Sequence, residues 1–104
     1  MRKFELVADK SECAGSEIFK GYVQDASECA ALCENTSPMF VLGTNDWDKH
    51  RCKVDSEGKG VVCKCYCETE AKDAESCKRI PHSGYRLYHM GIFFHGGGQL
   101  LFYV

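Results

Sequence analysis

The sequence predicts a small, disulfide-rich α+β domain with one helix packed on an antiparallel sheet, and its cysteines carry most of that prediction. Eight of the 104 residues are cysteine, an even number at the density of disulfide-framed secreted domains. Five fall into two groups with different periods. Cys29 and Cys33, four apart, share one face of a helix, whereas Cys63, Cys65 and Cys67, two apart, share one face of a strand. A third observation is the alternation of strand-like apolar runs with a single helix-forming segment.

Residues 4–8 alternate apolar and polar side chains and read as a strand with Phe4, Leu6 and Ala8 on one face. Residues 11–20 read as a connection carrying Cys13, with Ile18, Phe19, Tyr22 and Val23 supplying apolar contacts. A helix is predicted over 26–34. Asp25 is a good N-cap, and Glu28 can reach back to the cap's own amide. Cys29, Leu32 and Cys33 form its inward stripe, Asn35 can take a left-handed cap conformation, and Pro38 stops the helix from resuming.

The apolar run 39–44 predicts a central strand covered on both faces. Residues 45–51 are polar except for Trp47, and 53–60 have the glycine and charge content of an exposed hairpin loop. A strand follows over 61–68, then a solvated loop over 70–76, and Gly84 opens a final strand over 85–88 in which Tyr85 and Tyr88 fall on opposite faces. Residues 91–104 carry no formal charge and hold two apolar runs around His95 and three glycines. The predicted organisation is therefore a domain over 1–90 and an apolar, glycine-containing tail over 91–104. That tail is an added hairpin, an edge strand open to self-association, a segment ordered by a partner or a product of chain truncation.

Charge and hydropathy exclude several classes. Thirteen Lys and Arg stand against 15 Asp and Glu, a net charge of −2, and the two signs are interleaved. No basic stripe exists to attract nucleic acid or a membrane surface. No stretch approaches the roughly 20 apolar residues that span a bilayer. Thiols at this density persist as bridges only in an oxidising compartment, which predicts a secreted, extracellular protein. The N-terminal residues are not a signal peptide, because Glu5, Asp9 and Lys10 interrupt any apolar segment. A leader would have been removed, or the chain excised from a longer protein.

The three clustered thiols could also bind Zn or Cu(I), joined by His50, His82, His89 or His95, but the paired Cys-x2-Cys pattern of a zinc ribbon is missing. Structural disulfides at all eight positions, Cys13, Cys29, Cys33, Cys52, Cys63, Cys65, Cys67 and Cys77, are the stronger reading, with no metal and no cofactor. An even count leaves no spare thiol for nucleophilic catalysis. Asp46, Asp48, Asp55 and Glu57 lack the order of a calcium loop and read as solvated loop acids. The prediction is a protein that is not an enzyme.

Trp47 lies among Asn45, Asp46, Asp48 and Arg51, where an aromatic ring beside amide, carboxylate and guanidinium groups suits a sugar or peptide; the plainer role is to cover the core. Tyr66, between two cysteines, points to the opposite face from them and is a second candidate contact. Asn35-Thr36-Ser37 fits an N-glycosylation sequon, with Pro38 just beyond it disfavouring modification.

The order of elements, with Cys29-Ala30-Ala31-Leu32-Cys33, the apolar strand leading to Cys52 and Ser83-Gly84-Tyr85-Arg86-Leu87-Tyr88, resembles the PAN/apple domain superfamily over roughly residues 13–88. The resemblance implies bridges from the helix to the sheet, Cys33 with Cys52 and Cys29 with Cys65. Three cysteines over 63–67 depart from the family pattern. Neighbours two apart on a strand are poorly placed to bridge each other, so Cys63 and Cys67 are expected to reach Cys13 and Cys77. PAN/apple modules are associated with glycan and protein ligands. The resemblance thus implies a noncatalytic, lectin-like or protein-binding extracellular module. Two other functions remain open: a secreted inhibitor or toxin-like effector acting on a protease or adhesion receptor through residues 53–60, and a Cys-rich metal-binding domain.

Overall fold

The computed structural model describes residues 4–44, 51–73, 75–90, 93–95 and 99–101. Its elements are β1 (Phe4–Cys13), β2 (Glu17–Val23), α1 (Ala26–Cys33), β3 (Met39–Gly43), β4 (Cys52–Val54), β5 (Val61–Glu68), β6 (Arg79–Met90), β7 (Phe93–His95) and β8 (Gln99–Leu101). Strands β1, β6, β3, β5 and β2 lie side by side in that order, β4 pairs with the start of β5, and every pairing is antiparallel. β7 and β8 form a two-stranded ladder of their own.

The molecule is disulfide-rich with one helix on an antiparallel sheet, and it holds more strand than the sequence predicts. Residues 11–13 and 17–20, read as a connection, belong to β1 and β2. Neither stretch alternates apolar and polar side chains, but pairing with β6 and β5 satisfies their backbone groups. The closing strand likewise starts at Arg79, well before Gly84. Phe4, Leu6 and Ala8 do not share a buried face: register shifts between Leu6 and Ala8 and between Asp9 and Ser11 mark irregularities in β1, and Leu6 is 52% exposed.

Helix α1 starts where its chemistry says it should. The Asp25 carboxylate accepts the Glu28 amide at 3.0 Å, and the Glu28 carboxylate accepts the Gln24 amide at 2.6 Å, one residue before the expected partner. Replacing Asp25 by alanine is expected to cost about 1 kcal/mol of stability in urea unfolding. The helix buries Ala26, Cys29, Ala30 and Cys33, while Leu32, expected inside, is 45% exposed. The small side chains let the helix sit close to the sheet. Asn35 is exposed and has no positive φ; the turn closes through the Thr36 and Ser37 amides on the Cys33 carbonyl.

Each sheet face carries a core. On the helix side, Phe40 stacks on Tyr88 at 5.3 Å between ring centroids, Phe4 meets both edge-on, and Val23, Cys65, Cys67 and Met90 complete the cluster. On the other side Met39, Val41, Tyr85 and Leu87 pack with Ala71 and the Cys13–Cys77 bridge. The central strand is therefore covered on both faces, and Tyr85 and Tyr88 are split between them.

The bridges are Cys13–Cys77, Cys29–Cys65, Cys33–Cys67 and Cys52–Cys63. Cys29–Cys65 coincides with the pairing that the resemblance implies, whereas Cys33 joins Cys67 and not Cys52. The reason is a match of periods. Four residues advance about 6 Å along a helix, and two residues advance about 6.7 Å along a strand. Cys29 and Cys33 therefore face Cys65 and Cys67 as two rungs. Cys52 is the direct cross-strand partner of Cys63, and Cys13 and Cys77 pair with each other, which corrects the expectation that they would take Cys63 and Cys67.

Candidate ligand-binding site

The sheet face opposite the helix places chemistry together that is scattered in the chain. Because β2 and β5 pair with Phe19 opposite Tyr66 and Glu17 opposite Glu68, two aromatic and two carboxylate side chains form adjacent cross-strand pairs. Phe19 meets Tyr66 at 5.2 Å between centroids, Tyr66 meets Tyr85 at 5.8 Å, and Tyr85 meets His82 at 4.8 Å. The result is a continuous row of four rings across β2, β5 and β6. Phe19 is 47% exposed, so the row opens to solvent at the β2 edge. Gly21, with φ of 108°, follows the irregularity in β2 beside this edge.

Arg51 crosses the other end of the row. Its guanidinium carbon lies 5.3 Å from the Tyr85 ring centre, and Nη2 is 3.4 Å from His82 Nε2. Gly84 makes that position available, since a Cβ there would collide with the Arg51 side chain. A side chain at position 84 would displace the Arg51 guanidinium from its place over Tyr85.

Three glutamates border the row. His82 Nε2 lies 3.9 Å from Glu12 Oε2, and oxygens of Glu12, Glu17 and Glu68 lie within 4.8 Å of one another. Glu68 is 1% exposed, and its Oε2 accepts the Cys13 amide at 2.7 Å. Burial, opposed by that amide and reinforced by the negative charges of Glu17 and Glu12, pushes the Glu68 carboxyl up to about 8. Burial also raises Glu17, as does Glu12, against a hydrogen bond with Glu68 and the opposing influence of His82. Burial, then the Tyr66 hydroxyl, holds the Tyr85 phenol well above the ordinary tyrosine range, so it remains a neutral donor.

Of the residues that the sequence singles out, Tyr66 and Arg51 come together on this face. Asn45, Asp46, Trp47 and Asp48 lie outside the described residues. Asn35 is exposed at the end of α1, away from any partner that the described contacts show. Sequence reasoning missed Glu12, Glu17, Glu68, His82 and Phe19. The only signal for the glutamates was the place of Glu68 in the strand predicted over 61–68, on the face opposite the cysteines; Glu12 and Glu17 lay in the segment read as a connection, and the register alone brings them beside it.

Comparison with known proteins finds no match among family models, curated proteins or solved structures. The chemistry of the face therefore carries the functional reading alone. All eight cysteines lie in bridges, so none offers a thiolate to a metal or a substrate. No helix among the described residues is long and apolar enough to cross a membrane.

Proposed function

We propose that this chain is a secreted, noncatalytic recognition domain of PAN/apple-like plan that binds a glycan on the sheet face opposite its helix. The observation that carries this reading is the row Phe19–Tyr66–Tyr85–His82, exposed at one end and bordered by carboxylates and the Arg51 guanidinium. Aromatic faces cover the apolar patches of a sugar ring, while carboxylate and guanidinium groups exchange hydrogen bonds with its hydroxyls. Two disulfides clamp β5, which carries Tyr66, to α1, and a third ties it to Cys52 beside Arg51, which lowers the ordering cost of binding. Compartment follows from the same bridges.

A glycan array probed with the intact chain tests this. Phe19→Ala is expected to weaken binding about tenfold or more, with the far-UV circular dichroism unchanged, because a half-exposed ring contributes more to a ligand than to the core. Tyr66→Phe is expected to give a smaller loss that reports the hydroxyl. An array without saturable binding, or full binding by Phe19→Ala, removes the glycan reading.

A protein ligand is the second reading, favoured by the β2 edge, where Ile18, Phe19 and Tyr22 are all exposed beside unpaired backbone groups. Inhibition of a protease through the exposed hairpin turn between β4 and β5 would instead leave Phe19→Ala fully active in an inhibition assay.

A further inference from the structure

We propose that the groove between helix α1 and the β4–β5 hairpin binds a single-chain anionic amphiphile, a molecule with an alkyl body and one carboxylate head. The groove encloses about 430 Å³, the size of a small-molecule site, and shares no residue with the aromatic row or the three glutamates. Its walls are the end of β2, the outer side of α1 and the hairpin. Two contacts fasten the hairpin across the gap. Gln24 Nε2 donates to the Lys59 carbonyl at 3.0 Å, and the Lys53 ammonium stands 4.2 Å from the centre of the Tyr22 ring. The Cys52–Cys63 bridge closes the base of the same hairpin, so the walls are held before a ligand arrives.

The interior of the groove is apolar. Val23 and Val62 are buried there, while Tyr22 and Leu32 remain 36% and 45% exposed. Leu32 is the helix residue that periodicity turns inward, and in the folded chain its side chain lines this groove instead. An alkyl chain laid between α1 and the hairpin removes these four apolar surfaces from water together.

Charge selects the head group. Four charged residues line the groove, and its two acids are turned to its own walls: one Glu28 oxygen accepts the Gln24 amide at 2.6 Å, and one Asp55 oxygen accepts the Lys59 amide at 3.2 Å. Lys53 and Lys59 make no ion pair among the described residues. The Tyr22 ring takes one side of the Lys53 ammonium and leaves N–H donors for another partner. Two ammonium groups with donors to spare, beside an apolar interior, complement a carboxylate on an alkyl chain. The inference stands whether or not the aromatic row binds a glycan, because its probe carries no sugar.

The test titrates sodium decanoate, kept below its micellar concentration, into the full oxidised chain by calorimetry. The expected result is saturable one-to-one binding with a dissociation constant of about 100 μM or tighter, within the efficiency open to so small a ligand. Octanoate should bind about fifteenfold more weakly, at about fourfold per methylene, and decyltrimethylammonium should show no saturable binding. Joint replacement Lys53→Gln and Lys59→Gln is expected to weaken decanoate at least tenfold with circular dichroism unchanged. Ala31→Trp, at an exposed helix position that lines the groove, should fill it and abolish binding, whereas Lys72→Gln, exposed in the loop before Cys77, should leave binding unchanged. Phosphatidylglycerol vesicles are the contrasting arm, and no cosedimentation is expected. No saturable decanoate binding below about 1 mM, equal binding of the cationic amphiphile, full binding by both the lysine and the Ala31→Trp variants, or capture by vesicles alone overturns the proposal.

Discussion

Replacing Cys29 and Cys65 together by alanine is expected to lower the unfolding free energy by about 4 kcal/mol. The bridge joins residues 36 apart, and the chain-entropy relation for a loop of that size gives this magnitude at 25 °C. Both sulfurs are fully buried between α1 and β5, so native packing is lost as well. The Cys52–Cys63 bridge spans only 11 residues, between paired strands, and its removal is expected to cost about 3 kcal/mol. Denaturant unfolding of the two double variants measures the order. A larger loss for the Cys52 and Cys63 pair than for the helix pair would show that the helix clamp is not the main covalent support. A domain this small has a net stability of the same order as one or two such losses, so full reduction is expected to unfold it.

The protein is expected to lose a few kcal/mol of stability as the pH rises from about 4.5 to about 8. Glu68 keeps its proton in the folded state up to about 8, whereas the unfolded chain releases it near 4.5. Between those values the folded state binds more protons, so stability falls with rising pH; below 4.5 both states are protonated and the contribution is complete. Each unit of difference corresponds to about 1.4 kcal/mol, which sets the upper limit. Glu17, also raised, acts in the same direction. The groups facing Glu68 are Glu17, Glu12 and the Cys13 amide, with His82 acting on Glu17.

Glu70 and Asp73 work in the opposite sense. Hydrogen bonds from Ser16 and Ser76 hold their carboxyls below the usual range, so their support is lost as the pH falls through the acid range. Maximal stability is therefore expected near pH 5. Thermal melts of the wild type and Glu68→Gln at pH 5 and pH 9 check this. The substitution should flatten the alkaline loss, and a wild-type melting temperature that rises from pH 5 to pH 9 contradicts the assignment.

Local signals made part of this architecture legible. The i to i+4 thiols, Asp25 and Glu28 marked α1 to within a residue or two. The apolar run marked β3, and Val61–Glu68 was read as a strand over its full length. Strand β1 was read only over residues 4–8 and β2 was read as part of a connection, because the backbone of 9–13 and 17–23 is satisfied by partners distant in the chain. Leu32 looked buried by periodicity, but a helix standing on two disulfide rungs needs only alanine and cysteine beneath it.

For the candidate site, the strand period placed Tyr66 opposite the cysteines, and the polar stretch before Cys52 drew attention to Arg51. Phe19 and His82 gave no such signal, because a lone aromatic in a presumed connection and a lone histidine are common. The glutamates 12, 17 and 68 were invisible as a group, being spread over separate elements.

By itself, then, the sequence determined a disulfide-framed domain with one helix set against a sheet, because helical and strand periodicities are local properties and cysteines display them openly. Only the tertiary structure decided which cysteine meets which, where Cys33 faces Cys67 because a helix turn and a strand pleat advance by nearly the same distance. It also decided that an aromatic row and three carboxylates share one face, since register brings together residues that no spacing along the chain relates.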